Sequence, residues 1–270
     1  MKIPFTKAHG ARNDFLMTWR ADVDAGLNLA AVARAICDRR VGVGADGWLL
    51  LSPSQEADAA IRLYNSDGSV SELSGNGTRC VALYLVETGR ARETVRIATG
   101  AGLKELRLVS RNAHEFVFEM DMGVARIDEL RIHLPFGDLA HHVSSDMTVL
   151  NVGNPQCAVF VDDFEFDWRA QGAWIERHPK FPERTNVSFV QVIDRHTLDV
   201  RFWERGAGET MSSGTGSTGA AAAAAARGLV ESPVQVQTPA GPLTLRWEDD
   251  RLLLAGPAEI VAEGDFHLRA

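Results

Sequence analysis

The sequence predicts an α/β fold, of the α+β kind, built from two similar domains with a buried helix in each. A segment that begins SGNGTRC at Ser74 recurs 139 residues later as SGTGSTG at Ser213. Repetition over half the chain length indicates duplicated structural units. Most of the remaining sequence forms the short apolar or alternating runs that strands show. Strands are therefore expected to supply the rest of each domain.

The repeat continues through the helix that follows each serine. Small residues recur at the same spacing in both copies, as Gly75 with Gly214, Gly77 with Gly216, Ala82 with Ala221 and Gly89 with Gly228. Each serine also follows a polar residue nine positions earlier, Asn65 or Glu204. Both helices are apolar nearly all round, which is typical of a helix buried on every side. Each one is thus predicted to be the axis of its own domain, ending at its glycine.

Strands are predicted before each repeat and throughout the remaining sequence. The two that precede the repeats are AIRLYN and LDVRFWE. The others are WLLLSPS, TVRIATG, EFVFEMD, CAVFVDD, VSFVQVI, LTLRWE and RLLLAG. A surface helix is predicted over Leu29–Arg40, because apolar residues recur there at helical spacing.

The chain length suits two modest domains, since it contains 270 residues. The boundary is predicted near Met122-Gly123, between the two copies of the repeat. This gives an N-terminal domain over 1–122 and a C-terminal domain over 123–260. The last segment, about 260–270, is expected to return to the first domain or to stay with the second.

Composition narrows the function classes. With 45% apolar and 24% charged residues the chain is an ordinary globular protein, and its net charge of −8 argues against binding a phosphate backbone. No apolar run approaches the roughly 18 residues of a membrane span, and no long apolar core of a signal peptide stands at the N-terminus. The chain has three cysteines, Cys37, Cys80 and Cys157. Their odd number indicates free thiols in the cytoplasm, and because no two of them have zinc-ligand spacing, no metal site is expected.

The two Ser-Gly-x-Gly turns carry the functional prediction. A helix that begins at such a turn points unpaired backbone N–H groups outward, where the helix dipole adds positive charge. Two turns facing each other would hold a carboxylate and would present Ser74 and Ser213 to opposite faces of a carbon. That arrangement suits removal of a proton from one face and its return to the other. The alternative is that each serine is a plain N-terminal cap of its helix.

One glycine motif is better interpreted as a turn. GVGADG, from Gly42 to Gly47, matches the G-x-G-x-x-G pattern. A dinucleotide fingerprint needs a strand before it and a helix after it. Here a predicted helix precedes it and a predicted strand follows, so a turn is predicted and no nucleotide is expected.

These residues resemble the diaminopimelate epimerase family along nearly the whole chain. The stretches that carry the resemblance are HGARNDF, GVGADG, YNSDGSVSELSGNGTRC, NVGNPQC, FPERTNVSFVQ, ERGAGETMSSGTGS and GPAEIVAEGDFHL. The resemblance implies two pseudo-symmetric domains, each a curled, mostly antiparallel sheet wrapped around a central helix. It also implies cofactor-independent, two-base epimerisation of diaminopimelate in lysine biosynthesis, with a small amino acid as the substrate. The sequence leaves a homodimer open.

The resemblance also implies roles for individual residues. The far amino and carboxylate groups of the substrate would be held by Asn13, Asn65, Asn154, Asn186 and Arg205. Backbone donors for the reacting carboxylate would come from Gly75, Asn76, Gly214 and Thr215. The catalytic positions would be Ser74, Ser213 and Glu204, the last being the usual partner of the histidine that the family has after Asn-Pro.

The chain departs from the family at the catalytic positions themselves. Ser74 and Ser213 stand where the family has cysteines, and Gln156 stands where it has a histidine. A hydroxyl is a far weaker acid than a thiol, so it needs a neighbouring base. The sequence alone identifies no group that reaches either serine.

Three other interpretations stay open beside an epimerase that uses its serines or a neighbouring carboxylate. One is a different isomerase or lyase on the same fold, in which one serine keeps an acid role and another group removes the proton. Another is a non-catalytic member that binds an amino acid or regulates a partner. The last is an ordinary epimerase whose cysteines were replaced by design, against which Gln156 and Thr218 argue as further changes.

Overall fold

The structure is a computed structural model that describes residues 1–113, 115–134 and 143–268. For residues 143–146 it describes the backbone alone. The chain divides into two compact units. Unit 1 comprises Met1–Met120 and Gly256–Ala270, and unit 2 comprises Asp121–Ala255. That these units are the two predicted epimerase-like domains stays a prediction.

Unit 1 begins with a strand hairpin and contains two helices. In chain order its elements are β1 (Lys2–Gly10), β2 (Asn13–Trp19), α1 (Leu29–Cys37), β3 (Gly47–Ser52), β4 (Ala59–Asn65), β5 (Val70–Ser71), α2 (Gly75–Glu87), β6 (Thr94–Thr99), β7 (Gly102–Asn112) and β8 (Glu115–Gly123), whose last three residues belong to unit 2. A short 3-10 turn, Arg20–Asp22, follows β2.

After one additional strand, β9 (Arg126–His133), unit 2 has the same order of elements. They are β10 (Val143–Asn151), β11 (Pro155–Val161), α3 (Trp168–Glu176), β12 (Asn186–Asp194), β13 (Thr197–Glu204), β14 (Gly208–Thr210), α4 (Gly214–Ala226), β15 (Val234–Gln237), β16 (Leu243–Glu248) and β17 (Arg251–His267). Only the first part of β17, up to Ala255, belongs to unit 2, and it pairs with β16. The part from Gly256 on belongs to unit 1, where it pairs with β1.

Strand pairing shows that the two units share one topology. The parallel pair β2–β3 corresponds to β11–β12, and the parallel pair β4–β6 corresponds to β13–β15. The antiparallel pairs β3–β4, β4–β5 and β6–β7 correspond to β12–β13, β13–β14 and β15–β16. The mixed α/β fold class predicted from the repeat is thereby confirmed.

The helices α2 and α4 lie at the core of their units. Each has 13 residues, and nine of them are buried, so polar side chains in these helices are buried as well. Both helices end in the same motif, because Gly89 and Gly228 take a left-handed φ of 69°. The following amide donates back into the last turn, from Arg90 to Leu85 and from Leu229 to Ala224, which satisfies carbonyls that a helix end leaves open.

The surface helix α1 is three residues shorter than the predicted Leu29–Arg40. Asn28 caps its start by accepting a hydrogen bond from the Ala31 amide at 3.2 Å. It ends at Cys37 because the Asp38 carboxylate accepts the backbone amides of Arg40 and Val41 and holds them in a turn. Within the described part of the chain, no helix is long and apolar enough to cross a membrane.

Candidate active site

Both predicted catalytic serines cap their helices. The Ser74 Oγ accepts the Gly77 amide at 3.1 Å, and the Ser213 Oγ accepts the Gly216 amide at 3.1 Å. Each serine has an extended backbone, as an N-terminal cap requires. The capping role weighed against catalysis is therefore real for both serines. It is also compatible with catalysis, because a backbone N–H at a helix N-terminus stabilises negative charge on the oxygen it contacts.

A carboxylate contacts one of the two serines. The Ser213 Oγ donates to Glu204 Oε2 at 3.2 Å, and the Thr210 hydroxyl donates to Glu204 Oε1 at 2.6 Å. Burial raises the pKa of Glu204, while these two hydrogen bonds act in the opposite direction. The short strand β14 pairs with β13 and brings Thr210 next to Glu204. Ser213 thus has the neighbouring base that the sequence alone did not reveal.

The corresponding position in unit 1 is occupied by an amide. Asn65 ends β4 as Glu204 ends β13, but its side chain donates to the hydroxyls of Ser69 and Ser71 at 2.8 and 2.9 Å. Within the described part of unit 1, no carboxylate accepts a hydrogen bond from Ser74. The two serines are therefore chemically unequal.

The second acidic residue near the unit 2 turn is engaged elsewhere. Glu209 accepts a two-pronged ion pair from Arg169, with distances of 2.6 and 2.7 Å. Arg169 lowers the pKa of the Glu209 carboxyl. Glu209 is exposed and belongs to a surface ion pair instead of contacting Ser213.

A tight hairpin places Asn13 in unit 1. Ala11 and Arg12 connect β1 to β2 with φ values of 50° and 60°, the left-handed conformation that a two-residue hairpin turn needs at both positions. Asn13 then lies opposite Gly10. Its Nδ2 donates to Asp46 Oδ2 at 2.6 Å. Asp46 lies in the glycine stretch interpreted as a turn, and sequence reasoning missed its part in the site.

A cluster of charges fixes Asp46 and its neighbour Asp14. Arg39 donates to both carboxylates, at 2.6 Å to Asp14 and 2.7 Å to Asp46, and Lys7 lies 3.0 Å from Asp14. Burial acts to raise the pKa of Asp14, but hydrogen bonds from Arg39 and Lys7 lower it to about 2. Asp14 therefore stays ionised at neutral pH and anchors the loop behind Asn13.

Asn76 joins the turn of unit 1 to Asn13. The Asn76 Nδ2 donates to Asn13 Oδ1 at 3.1 Å, and Asn76 in turn accepts a hydrogen bond from the buried side chain of Arg79. Arg79 was not among the predicted site residues. The only available signal was its place inside the SGNGTRC stretch.

Unit 2 holds its hairpin asparagine through neutral partners. Asn154 Nδ2 donates to Thr215 Oγ1 at 3.3 Å, and Asn154 Oδ1 accepts from Gln156 Nε2 at 2.8 Å. Gln156 is 1% exposed and packs against Gly219. Gln156, which stands where the resemblance implies a histidine, thus orients a predicted substrate-binding asparagine.

Asn186 and Arg205 also lie together in unit 2. The Asn186 Oδ1 accepts the Arg205 backbone amide at 3.0 Å, and the Asn186 Nδ2 donates to the Pro155 carbonyl at 2.9 Å. The exposed Arg205 guanidinium donates from Nη1 to the Glu183 carbonyl at 2.9 Å. Buried Glu176 accepts the next backbone amide, that of Gly206, at 3.1 Å. The backbone around Arg205 is therefore fixed on both sides.

The cysteines of the chain do not replace the missing thiols. Cys37, Cys80 and Cys157 are free and buried, and burial raises the pKa of each to about 12. Such thiols stay protonated at neutral pH. Across the described residues, no group of three His, Cys, Asp or Glu side chains is arranged to hold a metal ion.

The chain is similar to known epimerases over its whole length. The sequence profile of the family described as diaminopimelate epimerase matches residues 5–128 and 148–261. The diaminopimelate epimerase of Moorella thermoacetica is 39% identical over 276 residues, covering 98% of this chain and 99% of that protein. The diaminopimelate epimerase of Desulforudis audaxviator is 40% identical over 274 residues, covering 97% and 98%.

Solved structures share the fold at low sequence identity. A Bacillus anthracis phenazine biosynthesis protein of the PhzF family superimposes with a TM-score of 0.75 at 16% identity, covering 99% of this chain and 100% of that one. A hydroxyproline epimerase from Agrobacterium vitis, solved with bound trans-4-OH-L-proline, gives a TM-score of 0.68 at 16% identity, covering 98% and 92%. With the profile and the relatives taken together, this chain belongs to the diaminopimelate epimerase family.

Proposed function

We propose that this chain is a cofactor-independent amino-acid epimerase that converts LL-diaminopimelate to the meso isomer. Ser213 serves one face of the α-carbon and Ser74 serves the other. Family membership supports the reaction class. The observation that carries the serine-based version is the hydrogen bond from Ser213 to Glu204, because it supplies the base that a hydroxyl needs.

The hydroxyl of Ser213 has the capacity for a proton relay. A serine hydroxyl has one proton to donate and two lone pairs that can accept. The Ser213 proton goes to Glu204 and one lone pair takes the Gly216 amide. One lone pair is left for the α-hydrogen. As the C–H bond breaks, Oγ takes the α-proton and passes its own proton to Glu204 Oε2, while the electron pair stays on the substrate as an enolate.

Burial makes Glu204 a suitable acceptor for that proton. A general base works best when its pKa lies close to the working pH. An ordinary carboxyl is too weak a base for this, and burial raises the pKa of Glu204 above its ordinary value of 4.5. The relay therefore needs no free alkoxide at Ser213.

Ser74 returns a proton to the opposite face under this proposal. Its hydroxyl proton goes to the α-carbon, and the Gly77 amide stabilises the oxygen that remains until solvent reprotonates it. Without a carboxylate behind it, Ser74 is the slower of the two groups. We therefore expect α-hydrogen exchange to outrun net inversion.

Recognition of the substrate would rest on the predicted binding residues. Arg205 is a planar cation suited to the carboxylate at the far end of the substrate. The carboxylate and ammonium groups at that end would also bind the side-chain amides of Asn13, Asn65, Asn154 and Asn186. The reacting carboxylate would bind the backbone amides of Gly75, Asn76, Gly214 and Thr215 at the two helix N-termini. The proposed setting is lysine biosynthesis in the cytoplasm.

A second candidate function is favoured by the inequality of the two serines. Glu204 and Asn65 occupy equivalent positions, but only Glu204 is able to accept a proton. An enzyme with a single working base would remove the α-proton and complete a different reaction, an isomerisation or an elimination. The same experiment separates the two candidates.

Proton NMR in deuterium oxide tests the proposal. LL-, meso- and DD-diaminopimelate are incubated separately with the protein, alongside a panel of other amino acids. The expected result is loss of the α-hydrogen signal from diaminopimelate, fastest for the isomer whose α-hydrogen meets Ser213, with slower appearance of the other isomer. The physical reason is that Ser213 has a base and Ser74 does not.

Each other outcome counts against a stated part of the proposal. Exchange accompanied by a new product instead of a stereoisomer supports the second candidate. Binding without exchange across the whole panel supports an amino-acid-binding protein and removes the epimerase proposal. The Ser213→Ala variant is measured in parallel. Loss of exchange in that variant would attribute the activity to this site.

Arg205→Lys is expected to weaken diaminopimelate binding by about tenfold, because an ammonium lacks the planar fork that matches a carboxylate. Titration calorimetry measures the affinity. Arg195→Lys is the matched control, since Arg195 is an exposed arginine of the same unit that pairs with Glu231. Unchanged affinity in Arg205→Lys would contradict the role assigned to Arg205.

A further inference from the structure

Arg79 in the second turn of α2 is a fully buried cation without a carboxylate partner among the described residues. Its side chain is 0% exposed. Nη2 donates to Asn76 Oδ1, and Nε donates to the Pro257 carbonyl at 3.4 Å. Nη1 is buried and has no hydrogen-bond partner in the described part of the chain. Burial lowers the pKa of Arg79 to about 10, so the side chain is still charged at neutral pH.

Such a residue is costly for folding. A buried charge is tolerated when it is paired and fully hydrogen-bonded. Arg79 makes two contacts to neutral oxygens and leaves one nitrogen unused. An apolar side chain would fill the same space without that cost. The location of Arg79 is therefore better explained by what its donors do to Asn76.

Arg79 stands at one end of a chain of hydrogen bonds. Asn76 Nδ2 donates to Asn13 Oδ1 at 3.1 Å, and Asn13 Nδ2 donates to Asp46 Oδ2 at 2.6 Å. At the far end Arg39 holds the other Asp46 oxygen at 2.7 Å. The chain thus runs from a guanidinium to a carboxylate through two side-chain amides.

The two ends fix the orientation of both amides. A guanidinium has only donors and an ionised carboxylate has only acceptors. Asn76 must therefore turn its oxygen to Arg79 and its nitrogen to Asn13. Asn13 must likewise turn its oxygen to Asn76 and its nitrogen to Asp46. Each amide nitrogen keeps one further N–H, so both side chains present donors.

We infer that Arg79 is a positioning residue that locks Asn76 and Asn13 as hydrogen-bond donors, so that these side chains select a carboxylate. The inference rests on the proposed function for the identity of the ligand, an amino acid with two carboxylates. It assigns Arg79 no contact with the ligand.

Unit 2 has no cation at the corresponding place. Thr218 occupies the position equivalent to Arg79, and its hydroxyl donates to the Gly214 carbonyl at 2.8 Å. The amide of Asn154 is oriented there by neutral Gln156. The charged lock therefore belongs to unit 1, and carboxylate selection by oriented amides is predicted for that unit.

The test compares LL-diaminopimelate with its diamide by titration calorimetry. The measured quantity is the ratio of the two dissociation constants. Arg79→Met is expected to lower the preference for the carboxylate form by about tenfold, the effect of losing one charge-assisted hydrogen bond. Arg79→Lys keeps a charged donor and is expected to restore most of the preference. Arg90→Met, which removes an exposed arginine lying 4.6 Å over the Trp19 ring, should leave the ratio unchanged.

The ratio separates positioning from a merely structural role. A general loosening of the turn would weaken the binding of both ligands equally and leave the ratio of their dissociation constants unchanged. A second measurement on the parent protein covers the case in which Arg79→Met does not fold: NMR should detect scalar coupling across the hydrogen bond from Asn76 Nδ2 to the Asn13 side-chain carbonyl. An unchanged ratio in folded Arg79→Met, or absence of that coupling, overturns the inference.

The binding readout also keeps this test apart from the proposed function. If the parent binds diaminopimelate but never exchanges its α-hydrogen, the epimerase proposal fails. A lower preference for the carboxylate form in Arg79→Met would then still support the positioning role of Arg79. If the parent binds neither ligand, the coupling in the parent decides the question alone.

Discussion

Replacing Ser74 and Ser213 together by cysteine is expected to raise net epimerisation of diaminopimelate by at least about a hundredfold, the lower end of what well-matched acid–base groups contribute. A thiol ionises near pH 8.5, and a helix N-terminus lowers that value further. Both positions lie at helix N-termini, where the Gly77 and Gly216 amides contact the side-chain oxygen. Each new cysteine would therefore supply a usable thiolate without another base.

The two replacements should not act additively. One thiolate removes the α-proton from one face, but inversion also needs a comparable acid on the other face. Ser74→Cys alone and Ser213→Cys alone should therefore show exchange that depends on the isomer supplied, with little net inversion. The double variant should show both. Deuterium incorporation and chiral chromatography measure exchange and inversion on the same samples.

Gln156 limits the gain from restored thiols. The family resemblance implies a histidine there, and Gln156 instead donates to Asn154 Oδ1 at 2.8 Å. Adding Gln156→His should raise the rate further, since one ring nitrogen can hold Asn154 while the ring supports the thiol pair. Gly219 leaves the side chain room, because it places no Cβ against Gln156.

Controls for the thiol series follow from the capping role of the serines. Loss of an N-terminal cap costs about 1 kcal/mol of stability, so each cysteine variant should unfold at a somewhat lower temperature. Ser74→Ala with Ser213→Ala loses the same caps without adding a thiol and should be inactive. A double cysteine variant that binds diaminopimelate yet neither exchanges nor inverts it would show that these positions do not perform two-base chemistry.

The duplicated fold was predictable because its signals are local. A serine cap, glycines in the first turn and a left-handed glycine at the end define α2 and α4 within 16 residues of sequence. The strands that flank them were visible as short apolar runs. The end of α1 was not, because the Asp38 side chain competes with the helix for the amides of Arg40 and Val41.

The contacts within the candidate site were not predictable, because they depend on strand register. Asn13 meets Asp46, 33 positions away, since β2 and β3 pair in parallel with Phe15 opposite Gly47. Nothing in the local sequence specifies that alignment. Glu204 was identified through family resemblance, but its reach to Ser213 follows from the β13–β14 hairpin. Arg79 was overlooked because a charged residue inside an apolar helix gives no sign of its partner.

Glu204→Gln is expected to reduce α-hydrogen exchange by about a hundredfold or more, which is the scale of a lost general base. Glutamine keeps the size of the side chain. Its oxygen can still accept one of the Ser213 and Thr210 hydroxyls, which lie at 3.2 and 2.6 Å in the parent, and its nitrogen can donate to the oxygen of the other. It cannot take the proton that the relay delivers. Ligand affinity, measured by calorimetry, should change little, so the loss would fall on proton transfer rather than on binding.

Glu209→Gln provides the matched control. Glu209 lies on the neighbouring strand, is exposed and pairs with Arg169 at 2.6 Å. The same chemical change there should leave exchange within about twofold of the parent, because surface substitutions of this kind rarely exceed about 0.5 kcal/mol. A similar loss in both variants would point to general electrostatics instead of a relay through Ser213.

The pH dependence gives an independent check on Glu204. Only the ionised carboxylate accepts a proton, so exchange by the parent should rise with pH through the raised pKa of Glu204, and this rise should vanish in Glu204→Gln.

The stability of the folded protein should show the opposite trend with pH. Burial raises the pKa, so the folded state holds the proton more tightly than the unfolded chain, whose carboxyl titrates near 4.5. The stabilisation that Glu204 gives in its protonated form is therefore lost as pH rises from 4.5 through the raised value. Glu204→Gln has no such loss and should be at least as stable as the parent at pH 7, as urea unfolding can measure. A variant that is both inactive and less stable at pH 7 would instead mark Glu204 as a structural residue.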